Sequence, residues 1–314
     1  MVAGVASAVL LVSHGTVDHL DDLEAFVTNV RRGQPPGAGL VAELRRRYEA
    51  IGGQSPLNAI DAELARKLEV RLGVRVAWAN RLWRPYVRDV LAGLVTGSPA
   101  TTPVRVALVP LAQHSAHVYA EDARRAAVGL PVDLRCADDW GNRPDLCAAF
   151  AKRIRAAMTA VERTARVTVV MTAHSLPKAV VARGDPYERE LRKAAESIAL
   201  SLRTELGGQV TFTVAFQSQG MSAPGADGRP IEWLGPDLRT AFDEAVTRGD
   251  EFVVLAPVGF LADHVEILYD LDIEARAMAA ARNLRYARAA SLNADDDLVD
   301  VLAAVANPLL ARGA

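Results

Sequence analysis

The sequence predicts an α/β protein of two domains, each a four-stranded parallel sheet flanked by helices, and three observations predict it. Short Val-rich apolar runs alternate with amphipathic stretches, the pattern of buried parallel strands joined by crossover helices. Eight such runs occur, which suits two four-stranded sheets better than one wide sheet. The chain has 314 residues, long for a single core and comfortable for two.

In order, the runs cover residues 8–13, 74–79, 104–110, 132–136, 167–172, 210–216, 252–256 and 285–290. The opening stretch, MVAGVASAVLLVSHG, has no basic start, is broken by Gly4 and Ser7 and is too short to span a bilayer. It reads as the first buried strand. Among the helices, GDPYERELRKAAESIALSLRTELGG announces both ends: Asp185 can cap, Pro186 suits the first position, Glu188 completes a capping box, and Gly207 and Gly208 close it. Tyr187, Leu191, Ala195, Ile198 and Leu202 share one face. GPDLRTAFDEAVTRGD repeats the grammar, with Pro236 near its start and Gly249 at its end. Two Pro- and Gly-rich loops, residues 34–39 and 222–230, are either plain connections or the rim of a cleft.

Composition excludes several classes of function. Apolar residues are 50% and charged residues 24%, as in an ordinary globular protein. The net charge of −2, with no long block of one sign, lacks the footprint of a nucleic-acid binder. Cys136 and Cys147 are the only cysteines, which gives neither a disulfide framework nor a Cys-x-x-Cys metal spacing, and a reduced cytoplasmic setting is expected.

Three polar motifs each follow directly on a Val-rich run: VSHGT (12–16), VMTAHSLPK (170–178) and VLAPVGFLADHVE (254–266). Ligands of parallel α/β sheets bind outside the carboxyl ends of the strands, so these motifs can converge on a crevice. His174 of TAHSLP is either a satisfied structural group or, with neutral imidazole available near pH 7, a base or metal ligand. In ADHVEILYDLDIEA, Glu266, Asp270 and Glu274 lie four apart and form a slowly winding acidic ridge on a helix. A solvated face is the plain reading. Against it, no Lys or Arg interleaves between Asp263 and Glu274, and clustered carboxylates without counter-charge favour a bound cation or a shared proton.

VSHGT, RRYEAIGGQSPLN (46–58), VMTAHSLPK, GDPY (184–187), AFQSQG (215–220), WLGPDL (233–238) and PVGFLADHVEILYDLDIE (257–274) occur in the order and at about the spacings of ferrochelatases, which the chain resembles over nearly its whole length. The resemblance implies the class II chelatase fold: two Rossmann-like domains, here residues 1–150 completed by a C-terminal helix over 296–311, and residues 151–290, with a porphyrin cleft between them. It implies a lyase that inserts Fe2+ into a porphyrin in haem biosynthesis. His174 and Glu266 then face the metal and the pyrrole nitrogens, and Asp270 and Glu274 form a ridge leading outward on a locally widened helix. Arg31 is matched to a porphyrin propionate contact. Arg47 and Ser55 belong to the porphyrin site or to an outer cation site with Asp270 and Glu274, and Trp233 of WLGPDL counts among the porphyrin-binding residues.

His14 stands where soluble bacterial members commonly carry tyrosine and others methionine, so it is either an iron ligand on the opposite face or a supporting residue. RRGQPPGAGLVAEL is short and moderately polar where membrane-associated relatives carry an apolar lip, and no cysteine follows Cys147 to build the iron–sulfur centre of some relatives. The expectation is a monomeric enzyme without a membrane segment or tightly bound cofactor, with Fe2+ as substrate, an auxiliary divalent cation possible at the ridge and a haem acceptor downstream. Coproporphyrin III is favoured over protoporphyrin IX. The competing readings are a cobalt or nickel chelatase of a related tetrapyrrole and a non-catalytic tetrapyrrole carrier.

Overall fold

The computed structural model describes residues 7–98, 102–162, 164–206, 210–219 and 231–311. The helix stop expected at Gly207 and Gly208 and the loop at 222–230 lie outside them. The chain divides into two compact units, Met1–Trp140 with Asn293–Ala314, and Gly141–Leu292.

In the first unit β1 (Ser7–Ser13), β2 (Arg75–Asn80), β3 (Val104–Pro110) and β4 (Val132–Cys136) form a parallel sheet of order β2-β1-β3-β4. Its helices are α1 (Leu23–Val30), α2 (Ala38–Ala50), α3 (Leu57–Leu72), α4 (Val87–Leu94) and α5 (Ala116–Ala126). The second unit contains α6 (Pro144–Met158), β5 (Val167–His174), α7 (Lys178–Ala182), α8 (Tyr187–Leu206), β6 (Val210–Gln217), α9 (Leu238–Arg248), β7 (Phe252–Ala256), α10 (Val265–Tyr269), α11 (Arg276–Ala280) and β8 (Arg285–Arg288). Its sheet has the equivalent parallel order, β6-β5-β7-β8. The chain ends in α12 (Asp296–Leu310), which returns to the first unit and buries Leu298, Val301, Leu302 and Val305.

The central strands form where apolar runs leave no exposed face, whereas the edge strands β2, β4 and β8 carry charged residues and are only partly buried. β1 and β5 are buried along almost their whole length, as central strands covered on both sides must be. β8 ends at Arg288, short of the expected Ala290, and this last residue turns its guanidinium onto neighbouring acids. The units part at Trp140, before the expected boundary at 150. That boundary would cut α6, whose apolar face of Leu146, Phe150 and Ile154 is buried in the second unit. α8 takes the Asp185 cap its sequence suggests, the carboxylate accepting from Tyr187 N at 2.9 Å, while the Glu188 carboxylate expected in a capping box accepts from Arg192 Nε at 2.9 Å. At α9 the cap is Asp237, which accepts from Thr240 N at 2.8 Å; Pro236 lies outside the helix.

Candidate active site

In each sheet the first strand has the second on one side and the third on the other, so the order reverses at β1/β3 and at β5/β7. Such switch points open a crevice at the carboxyl ends of the strands. His174 is the last residue of β5, and PVGFLADHVE leaves β7 across that switch point.

The His174 backbone is held from several directions. Its carbonyl accepts from the Tyr187 hydroxyl at 2.9 Å, and Ser175 N donates to Gln217 O at 2.8 Å. Ser175 Oγ donates to Leu234 O at 3.0 Å, Leu234 N donates to Leu176 O at 2.9 Å, and Pro177 bridges Trp233, so WLGP is laced to AHSLP. Trp233 is half-buried, and its indole N–H is buried without an acceptor.

Gly259 explains how the acid-bearing segment gets so close. Its N–H donates to Thr172 O at 2.9 Å, and a Cβ there would stand 2.4 Å from Ala173 Cβ and 2.7 Å from Ala173 Cα. Only glycine admits that approach. The chain then turns into α10, a wide π-helical turn over Asp270–Ala275, and α11. Ile267, Leu271, Ala275 and Ala279, four apart, all pack in the core, and the widened i→i+5 turn keeps such residues nearly in line. The acids one position earlier, Glu266, Asp270 and Glu274, therefore run along an adjacent side.

His174 Nδ1 and Glu266 Oε2 are 3.1 Å apart, with side chains 38% and 34% exposed. His264 Nε2 is 3.9 Å from the same carboxylate oxygen, and Gln217 Nε2 donates to Glu266 O at 3.2 Å. Asp270 is buried and bonded by the Ser218 hydroxyl, whereas Glu274 is exposed. Ser218 holds φ 55°, a left-handed conformation that a residue with a side chain avoids and that recurs at functional sites.

The ridge is not without counter-charge. Arg288 reaches in from β8 and pairs with Asp272 at 2.7 and 3.0 Å and with Asp263 at 3.2 Å. For these two acids the missing counter-charge comes from a partner remote in sequence. This leaves Glu266, Asp270 and Glu274 as the acids that Arg288 does not touch. Among the described residues, no three His, Cys, Asp or Glu side chains close into a metal cage.

The other expected residues belong to the first unit. His14 is exposed after β1, its Nδ1 3.5 Å from the Tyr119 hydroxyl. Gly15, at φ 103° with Asn80 Cβ 3.0 Å from where its own would lie, makes the turn that presents it. Arg31 ends α1, half-buried, with a buried Nε that meets no acceptor. Arg47 is paired with Glu43 at 2.8 Å, and Ser55 is 3% exposed behind Leu57 N. The hydrogen bonds of Arg46 and Arg47 hold the Glu43 carboxyl down at about 2. Arg47 is therefore engaged in an ion pair, whereas Arg31 keeps a donor in reserve.

A family model described as Ferrochelatase matches residues 6–309. The chain belongs to the ferrochelatase family. A ferrochelatase of Thermus thermophilus is 34% identical, covering 94% of this chain and 96% of the relative. A coproporphyrin III ferrochelatase of Anoxybacillus flavithermus is 33% identical, covering 94% of both. Among solved structures, SirB of Bacillus subtilis with Fe3+ aligns at a TM-score of 0.59 with 15% identity, covering 98% of this chain and 96% of that one, a likeness of fold alone. As a family member the chain is a lyase that inserts Fe2+ into a porphyrin.

Opposing influences set the electrostatics of His174. Burial, the largest influence, works against the imidazolium. The Glu266 charge, its hydrogen bond and the Asp270 charge together outweigh burial, so the pKa is raised above the ordinary imidazole value. At His264 burial prevails over Glu266 and the pKa is lowered. Two neighbouring imidazoles are thus pushed apart, one suited to hold a proton and one to stay neutral.

Ser218, Gln217, Tyr187 and Arg288 were not legible as site residues. Ser218 and Gln217 lie inside AFQSQG and Tyr187 inside GDPY, but nothing local says what they touch. Arg288 carries no local signal at all.

Proposed function

We propose that this ferrochelatase metallates coproporphyrin III, with His174 and Glu266 accepting the pyrrole protons and Asp270 and Glu274 forming the approach for iron. The observation that carries the reading is the 3.1 Å pair of His174 and Glu266 at the strand end, continued by Asp270 on the wide helical turn. Several relatives at about this identity bear the name coproporphyrin III ferrochelatase, which supports the substrate.

Insertion exchanges two N–H protons of the porphyrin for one Fe2+, so the net charge of the macrocycle centre is unchanged and two protons must leave. His174 Nε2 faces away from its Glu266 contact at Nδ1 and takes the first proton, with Glu266 balancing the imidazolium formed; once that proton has passed to water, the same pair accepts the second. A carboxylate is also a suitable oxygen ligand for an incoming divalent ion. The graded exposure of the ridge, from open Glu274 to buried Asp270, provides successive oxygens as water is shed. An auxiliary divalent cation at its outer end fits the same donors. Arg31, whose buried Nε has no acceptor, is the guanidinium suited to a propionate. The chain's free thiols, Cys136 and Cys147, agree with a reducing compartment, and no helix among the described residues is long and apolar enough to cross a membrane.

Anaerobic incubation with Fe2+ and coproporphyrin III is expected to quench free-porphyrin fluorescence and develop a haem spectrum, faster than with protoporphyrin IX. A preference for protoporphyrin IX would overturn the substrate assignment. Asp270→Asn is expected to raise the KM for Fe2+ roughly tenfold and leave the porphyrin KM within about twofold. A large rise in the porphyrin KM would instead place Asp270 against the macrocycle.

A further inference from the structure

Of the acids between Asp263 and Glu274, two are held by a single guanidinium. Arg288 Nε and Nη2 grip both oxygens of Asp272 in a fork, and Nη1 takes Asp263 Oδ1. Ser291 Oγ donates to the same Asp263 oxygen at 2.7 Å. The three charged side chains are only 14%, 17% and 28% exposed. Tyr286, on the same strand, donates its hydroxyl to Leu271 O at 2.7 Å. Asp263 precedes α10 and Asp272 lies within the wide turn. One side chain therefore ties the entry of the acid-bearing helix to its middle.

We propose that Arg288 is a positioning residue for iron entry. It withdraws Asp263 and Asp272 from the carboxylates open to a cation, so that incoming iron is not diverted from Glu266, Asp270 and Glu274. The physical reason is charge. Two carboxylates that converge on one guanidinium lie close enough to share a cation, and with the guanidinium removed they become a competing oxygen site beside the ridge. A fork that satisfies both Asp272 oxygens also fixes the rotation of that carboxylate, which a lysine ammonium cannot reproduce.

The inference rests on the reading of the ridge as the path of the cation, and the experiment separates the two. Mn2+, which is redox-inert here and visible by electron paramagnetic resonance, is titrated into the full chain beside Fe2+ insertion kinetics. Arg288→Gln is expected to bind about one more Mn2+ per chain than the wild type, and to lose roughly tenfold in kcat/KM for Fe2+ with an unchanged porphyrin KM. Adding Asp263→Asn and Asp272→Asn to that variant is expected to remove the extra Mn2+ and return the iron kinetics to within about threefold of wild type. Arg288→Lys should fall between.

Unchanged Mn2+ stoichiometry and iron kinetics in Arg288→Gln would overturn the proposal, as would a triple variant no better than the single one. Should Arg288→Gln fail to fold, the triple variant decides alone: near-wild-type iron kinetics support charge withdrawal, and a tenfold loss overturns it. If Asp270→Asn leaves iron kinetics untouched while Arg288→Gln still gains an Mn2+ site, the ridge reading fails and the withdrawal of Asp263 and Asp272 stands.

Discussion

Replacing His174 by alanine is expected to lower porphyrin metallation on the order of 10³-fold, the scale of a lost general base, while the thermal transition stays close to that of the wild type. The residue ends a strand whose backbone bonds run through main-chain atoms and Tyr187, none of which the substitution removes. Its ring is 38% exposed, so little packing is lost. The pH profile is the sharper reading. Because the His174 pKa is raised in the folded protein, its proton-acceptor form becomes dominant at higher pH than in an ordinary imidazole. Wild-type insertion should therefore climb as pH passes through that raised pKa, and the climb should be missing in the alanine variant. Stability carries the opposite sign. The Glu266 pair contributes fully below the unfolded imidazole pKa and is lost as pH rises through the folded one, so any stability gap between the two proteins should close at high pH. Full activity in His174→Ala would show that the proton goes elsewhere.

Asp61→Asn is expected to stabilise the protein, increasingly so from about pH 4 to pH 7. Asp61 lies on α3, 1% exposed, and neither carboxylate oxygen meets a donor in good hydrogen-bond geometry. Burial pushes its pKa up to about 7 from the ordinary 3.8, opposed only by the nearby Ser13 hydroxyl. The folded state then holds a proton that the unfolded chain releases between these values, so stability falls as pH rises across that window and levels off beyond it. The shift corresponds to roughly 3–4 kcal/mol at neutral pH, and to an apparent Tm difference of roughly 5–10 °C. Asparagine keeps the shape and cannot ionise. Thermal melts of both proteins at pH 4.5, 6 and 8 test this, and a wild type equally stable or more stable than Asp61→Asn at pH 8 would refute it.

The surroundings explain why a carboxyl is tolerated there. Asn80 at the end of β2 donates to Asn58 Oδ1 at 3.1 Å, and Asn58 on α3 donates to Thr16 O at 3.2 Å and Asp18 Oδ1 at 2.9 Å. Asp61 follows one turn along α3 from Asn58, under the loop that carries His14. A polar layer beneath that turn accommodates a neutral acid far better than an ionised one.

Asp61 stands out within its own helix. Leu57, Asp61, Leu64 and Leu68 fall at helical spacing and are all buried, so the acid occupies a core position of its own stripe. Nothing comparable marks Arg288. Central strands were the most legible elements, because a central parallel strand is buried on both faces and must be largely apolar: β3 and β7 begin and end where their Val-rich runs do. The domain boundary was less legible, since α6 is as amphipathic as any helix and its sequence does not say which sheet it covers.

The sequence by itself determined the two parallel sheets, the placement of polar motifs at strand ends and the family, because burial periodicity and ordered motifs are local properties of the chain. It also placed His174 and Glu266 on different elements, and their meeting was implied by the family resemblance rather than by any local property of the chain. Tertiary structure decided that meeting, through the strand order that puts β5 beside β7 and through Gly259, which lets one backbone lie against the other. It alone decided the state of the acids as well. Arg288 neutralises two of them from another strand, burial raises the Asp61 pKa, and charge pairing across a crossover follows distance in space rather than any period along the chain.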